Sequence, residues 1–189
     1  MTGGKIVDRA VSTLKRGGVI LYPTDTIWGL GCDATAERAV EKVYAIKKRP
    51  QGKSLIVLVE SERRLMRLVP EIPDRAWSLM RSAQKPLTLV YEKAENVAPN
   101  LLAADGSLGI RLTHDKWLGK LIHRFNRPLV STSANRSGLP SPMRFGEIDT
   151  GILEAVDYSV PLRREKKARF AGSVVIKLGR DGRFKILRK

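Results

Sequence analysis

Val19-Ile-Leu-Tyr-Pro-Thr-Asp-Thr-Ile-Trp-Gly-Leu-Gly31 is the stretch on which the interpretation of the chain turns. Its first four residues form a short apolar run, which predicts a buried strand over 19–22. Pro23 has no N–H and ends that strand's ladder. Thr24, Asp25 and Thr26 then bring two hydroxyls and a carboxylate to the strand's end, and Gly29 and Gly31 follow. An edge that offers side-chain and backbone donors together suits a polar or anionic ligand. The same composition also describes a polar loop with two turn glycines. Partners elsewhere in the chain decide between the two.

Outward from this stretch, helical and extended patterns alternate. Ile6, Ala10, Val11 and Leu14 share one face of a helix over 5–16, and Gly17-Gly18 stops it. A second amphipathic helix carries Ala39, Val40, Val43 and Tyr44 and ends in basic residues before Pro50. Leu55-Ile-Val-Leu-Val59 is apolar throughout, as a strand buried on both faces would be. Ser61 opens a short helix over 61–68, and Asp74 is the candidate N-cap of another over 75–83. Strands are predicted over 87–91 and 108–112, with a loop over 99–106 between them. Leu118, Leu121, Ile122 and Phe125 fall at i, i+3, i+4 and i+7, with Asp115 as cap. Pro128-Leu-Val130 begins a strand that runs into Ser131-Thr-Ser-Ala-Asn135. Helix over 145–154, an edge strand over 157–162 and a hairpin over 173–178 and 184–187 complete the chain. This order predicts an α/β fold with a twisted mixed sheet flanked by helices.

The length of 189 residues suits a single domain, 1–189. No apolar run approaches the roughly 18 residues of a membrane span, and Met1 to Lys5 carries no secretory h-region. One cysteine, Cys32, fits a reducing compartment, so a cytoplasmic protein without membrane attachment is expected. Two histidines, His114 and His123, cannot make a conventional zinc site with it, and no metal ligands are assigned. The net charge of +16 attracts polyanions such as nucleotides, pyrophosphate or RNA. Gly52-Lys53-Ser54 has the tail of a P-loop, but position 47, where the first glycine belongs, is Lys. Gly29 and Gly31 lack the third glycine of a dinucleotide fingerprint. No Gly-x-Ser-x-Gly elbow is present.

A discontinuous set of residues carries more information. Tyr22-Pro-Thr-Asp-Thr-Ile-Trp-Gly-Leu-Gly-Cys-Asp-Ala34, Ile46-Lys-Lys-Arg-Pro50, Pro86-Leu-Thr88, Gly109-Ile-Arg111 and Ser133-Ala-Asn-Arg-Ser-Gly-Leu-Pro-Ser141 occur in that order over nearly the whole chain. In these pieces the chain resembles the YrdC-type threonylcarbamoyl-AMP synthase family. The resemblance implies a YrdC-like domain whose sheet and helices surround a basic cavity. It also implies a reaction: L-threonine, bicarbonate and ATP give threonylcarbamoyl-AMP and pyrophosphate. A threonylcarbamoyl-transferase complex then passes the group to the tRNA adenosine beside the anticodon.

The resemblance assigns roles residue by residue. Lys47, Arg49 and Ser133 are catalytic. Thr26, Arg111, Ser131 and Ser173 bind threonine. Arg49, Lys53, Ser107, Ser133, Asn135, Ser141 and Arg188 bind ATP. Asn135 has a second possibility, that of fixing its own loop by capping backbone groups. Mg²⁺ is expected with ATP, held by the phosphates rather than by a protein ligand. The cations suit a reaction whose catalysis is mainly positioning and charge stabilisation. The chain departs from the family pattern at Ser82-Ala-Gln-Lys-Pro86 in place of a Trp-Pro-Gly-Pro run. It departs again at Leu58 in place of a histidine and at Val174 in place of a threonine. Two alternatives stand beside this function: a YciO-type paralogue, and a non-enzymatic RNA-binding module favoured by the charge alone.

Overall fold

The computed structural model describes residues 3–50, 55–162, 170–179 and 181–189. Helix α1 (Gly3–Lys15) buries Ile6, Ala10, Val11 and Leu14, and the chain leaves it through Gly17 at a φ of 72°. Strand β1 (Ile20–Tyr22) leads through the polar loop into β2 (Gly29–Gly31), and α2 (Glu37–Lys47) follows. Next come β3 (Ile56–Val59), α3 (Glu62–Leu68), α4 (Asp74–Ser82) and β4 (Leu87–Tyr91). After β5 (Leu108–Leu112), α5 (Lys116–Phe125) and β6 (Leu129–Ser133), the chain makes α6 (Thr150–Ala155) and β7 (Tyr158–Ser159). The hairpin β8 (Val174–Leu178) and β9 (Phe184–Arg188) ends it.

Among the described residues the strands form one nine-stranded sheet in the order β7-β1-β2-β6-β3-β5-β4-β8-β9. It is mixed: β1–β7, β3–β5 and β4–β8 run parallel, and the other neighbours antiparallel. Alternation of side chains sends β1, β3 and β6 into two cores. Val57 and Val59 of β3 join the core beneath α2, α3 and α4, whereas Leu58 joins that beneath α1 and α5. The run 55–59 is thus apolar because both faces of β3 are covered. The predicted cap at Asp115 holds, and Ser61, read as the start of its helix, is the cap of α3. Ser61 accepts a bond from the Arg64 N–H, and Asp115 Oδ1 accepts from Trp117 and Leu118 at 3.0 and 2.9 Å.

Two local expectations need correction. Asp74 is not the cap of α4 but its first residue; Pro73, which has no acceptor side chain, takes the cap position. Gly29 and Gly31 are not turn glycines. They lie in β2, paired with β1 and β6. A Cβ at Gly31 would meet the Val130 carbonyl oxygen at 2.6 Å and the Tyr22 ring at 2.7 Å. Glycine is needed there because two neighbours press on the strand, not because the backbone turns.

Candidate active site

The register decides which side chains share a surface. Ile56 stands opposite Ser131, and Leu58 stands opposite both Leu129 and Arg111. Ser133, two residues on from Ser131, stands opposite Gly29. Ile56, Leu58, Arg111, Ser131 and Ser133 therefore share one face of the sheet. Where α1 and α5 cover that face, it carries Leu58 and Leu129 and is core. Beyond the helices it carries Arg111, Ser131 and Ser133, and it opens as a cleft of about 220 Å³. Leu58, the position at which the family pattern has a histidine, faces the α1–α5 core and does not border the cleft.

The loop between β1 and β2 forms one wall, with Thr24 and Thr26 facing the cleft. Thr24 Oγ1 donates to the Ile27 carbonyl at 2.7 Å and accepts from the Thr26 N–H at 2.9 Å. Its one proton being used, Thr26 is the donor in their 2.8 Å hydroxyl contact. Arg49 enters from the end of α2. Lys48 takes a left-handed φ of 48°, and the Arg49 N–H closes onto the Tyr44 carbonyl, which turns the chain toward the cleft. Ser141, on the loop after β6, reaches the same hollow. The far wall is Ser173 with Arg188. Arg188 Nε donates to the Ser173 carbonyl at 2.9 Å, and its Nη2 reaches Ser173 Oγ at 3.2 Å. Ser173 Oγ lies 2.7 Å from the buried Thr88 hydroxyl.

Of the predicted site residues, Thr26, Arg49, Arg111, Ser131, Ser133, Ser141, Ser173 and Arg188 converge on this cleft. Lys53 lies outside the described residues. Three other predicted residues stand elsewhere. Lys47 does not border the cleft. Only 1% exposed, its ammonium donates to the carbonyls of Ser133 and Asn135, the latter at 2.6 Å. Burial, and secondarily the charge of Arg49, lower its pKa to about 8. It is a clamp between α2 and the end of β6 with the loop that follows it. Asn135 fixes that same loop: its Nδ2 donates to the carbonyls of Arg136 and Leu139. Ser107 stands before β5, at the opposite end from Arg111, with its N–H on Asp105 Oδ1. A five-residue strand keeps the two well apart.

Arg111 is buried at 5% side-chain exposure and paired with Asp25 through Nη2, while it still borders the cleft. Thr24 and Asp25, placed by the sequence at a ligand-holding edge, and Thr88 were given no individual role there. The pattern Leu87-Thr-Leu-Val-Tyr91 does contain the signal for Thr88: it alternates away from Leu87 and Leu89 and so joins the polar face. The arrangement offers three guanidinium groups and a row of hydroxyls around one hollow, a donor-rich surface suited to carboxylate and phosphate oxygens.

The family model Sua5_yciO_yrdC, described as "Telomere recombination", matches residues 12–189. A threonylcarbamoyl-AMP synthase of Pseudoalteromonas translucida (strain TAC 125) is 34% identical over 163 residues, 85% of this chain and 87% of that protein. The protein of the same name from Stenotrophomonas maltophilia (strain K279a) is 33% identical over 156 residues, 80% of this chain and 83% of that one. The crystal structure of P. abyssi Sua5 complexed with L-threonine superposes with a TM-score of 0.82 at 29% identity. It covers 94% of this chain and 52% of its own, so this chain spans about half of that protein. E. coli YciO superposes with a TM-score of 0.81 at 23% identity, a likeness of fold. Matched along nearly its whole length by both sequence and fold, the chain belongs to the Sua5/YciO/YrdC family.

Proposed function

We propose that this protein is an L-threonylcarbamoyl-adenylate synthase, a nucleotidyltransferase that joins L-threonine, bicarbonate and ATP. The observation that carries this is the convergence of Thr26, Arg49, Arg111, Ser131 and Ser133 on one cleft. The names of the sequence relatives and the threonine complex of P. abyssi Sua5 support it. Arg111, with Thr26, Ser131 and Ser173 beside it, receives the amino acid. Arg49, Ser133, Ser141 and Arg188 receive the nucleotide. The threonine amine takes up the carbon of bicarbonate as a carbamate with loss of water. A carbamate oxygen then displaces pyrophosphate from the α-phosphorus. Arg49 and Arg188 offset the charge that builds on the phosphates. Lys47 contributes indirectly by holding the Ser133 backbone. ATP enters with Mg²⁺ held by its phosphates.

In the cell, this activity would supply the tRNA t6A modification through a threonylcarbamoyl-transferase complex in the cytoplasm. The charge of +16 favours a direct contact with tRNA as well, and such a contact would weaken steeply with salt. Among the described residues no helix is long and apolar enough to cross a membrane.

The test is incubation with ATP, Mg²⁺, threonine and labelled bicarbonate. Threonine-dependent pyrophosphate and a labelled adenylate are expected, and absence of both would refute the proposal. Arg49→Ala and Ser133→Ala are each expected to reduce the rate by about 10²-fold or more while circular dichroism stays unchanged.

A further inference from the structure

The geometry points to Asp25 as the residue that positions Arg111 for the substrate carboxylate, an inference that rests on the proposed function and adds a residue to it. Arg111 is 5% exposed. A guanidinium so deeply placed needs a permanent counter-charge if it is to wait for a ligand without distorting its strand. Asp25 supplies it in an uneven way. Both carboxylate oxygens meet the same nitrogen, Nη2. In the usual Arg–carboxylate fork two nitrogens are consumed. Here one corner of the guanidinium, Nη2, meets Asp25, and Arg111 itself borders the cleft.

The direction of approach matters equally. Asp25 does not line that cleft. It borders a separate cavity, floored by Leu65, Met80, Leu89 and Ile110, on the other face of the sheet. The ion pair therefore stands between two hollows, with Asp25 bordering one and Arg111 the other. Asp25 is itself held in place, because the bond from the Thr26 N–H to Thr24 Oγ1 closes the backbone around it. A carboxylate behind the guanidinium fixes the plane of its fork without competing for the front. The same tether explains why Asp25 stands between two threonines that face the cleft while its own side chain turns away.

A purely structural ion pair would lower stability and affect both substrates alike. A positioning role separates them. The experiment measures pyrophosphate release by the wild-type protein, Asp25→Ala, Asp25→Asn and Asp25→Glu against threonine and against ATP. L-threonine methyl ester serves as competitor, since it lacks the carboxylate charge. In Asp25→Ala the threonine KM should rise about tenfold or more, a loss equivalent to about 1.4 kcal/mol. The ATP KM should stay within about twofold. Preference for threonine over its methyl ester should fall by the same factor as threonine affinity, and Asp25→Glu should recover part of it. An unchanged or lower threonine KM in folded Asp25→Ala and Asp25→Asn overturns the inference, as does a parallel rise for both substrates. Failure of both variants to fold overturns it too, since Asp25 would then be a pillar of the fold. If the wild-type protein releases no pyrophosphate, the proposed function has failed instead. Calorimetric titration of threonine and its methyl ester then still reads what Asp25 does for carboxylate binding.

Discussion

Replacing Lys47 with methionine tests the claim that this lysine is a clamp and not a phosphate ligand. The substitution keeps the length of the side chain and removes its charge and its two bonds, to the Ser133 and Asn135 carbonyls. Hydrogen bonds from a charged group contribute about 1.5–3 kcal/mol each. Against that loss stands the cost of holding an ammonium out of water. Its pKa falls from the ordinary 10.5 to about 8, which at about 1.4 kcal/mol per pH unit is roughly 3 kcal/mol. Near pH 7 the two largely offset, and the variant should be less stable by a net of about 1–2 kcal/mol. The pH dependence is the sharper test. Below about pH 8 both folded and unfolded chains hold the proton, and the burial cost is fully present. Between about 8 and 10.5 the unfolded chain keeps a proton that the folded chain has released, so wild-type stability rises with pH. Methionine has no such gain. Urea denaturation of both proteins at several pH values should show the gap between them widening by roughly 3 kcal/mol across that window. A flat or narrowing gap would refute the buried-clamp argument. Activity of the variant should also fall, because the Ser133 backbone loses its tether.

Three further outcomes are expected. Gly31→Ala should cost on the order of 3 kcal/mol or abolish folding, because its Cβ would meet the Val130 carbonyl at 2.6 Å; a wild-type denaturation midpoint would contradict the packing described for β2. Gly119→Ala, in the interior of α5 with nothing within 4 Å, should raise stability by about 0.5–1 kcal/mol in the same assay. Asp115→Ala removes the acceptor for two N–H groups of α5 and should lower stability by about 1 kcal/mol, with Asp115→Asn recovering most of it.

Local chemistry accounts for what could be read before the structure. The periodicity of Leu118, Leu121, Ile122 and Phe125 and the cap at Asp115 are properties of neighbours a few residues apart, and α5 formed accordingly. The apolar run of β3 likewise reported its two covered faces. Gly29-Leu-Gly31 carried no such pattern. Its strand exists through pairing with β1 and β6, and Val130 and Tyr22 on those strands leave no room for a Cβ at Gly31. Lys47 and Arg49 looked equivalent as neighbouring cations. The left-handed turn at Lys48 separates them, one into the interior and the other to the cleft.

By itself the sequence determined the alternation of helices and strands, the basic character of the molecule and the residue types its site would use. These follow from short-range periodicity and composition. Tertiary structure alone decided which of those residues meet. Strand register set Ser131, Ser133 and Arg111 on one face and sent Leu58 into the core, while Ser107 lies before β5 at the end away from Arg111. It also joined Asp25 to Arg111 across the chain. Register is a long-range property: it depends on which strands pair and where each side of the sheet is covered, and no local stretch of sequence contains that information.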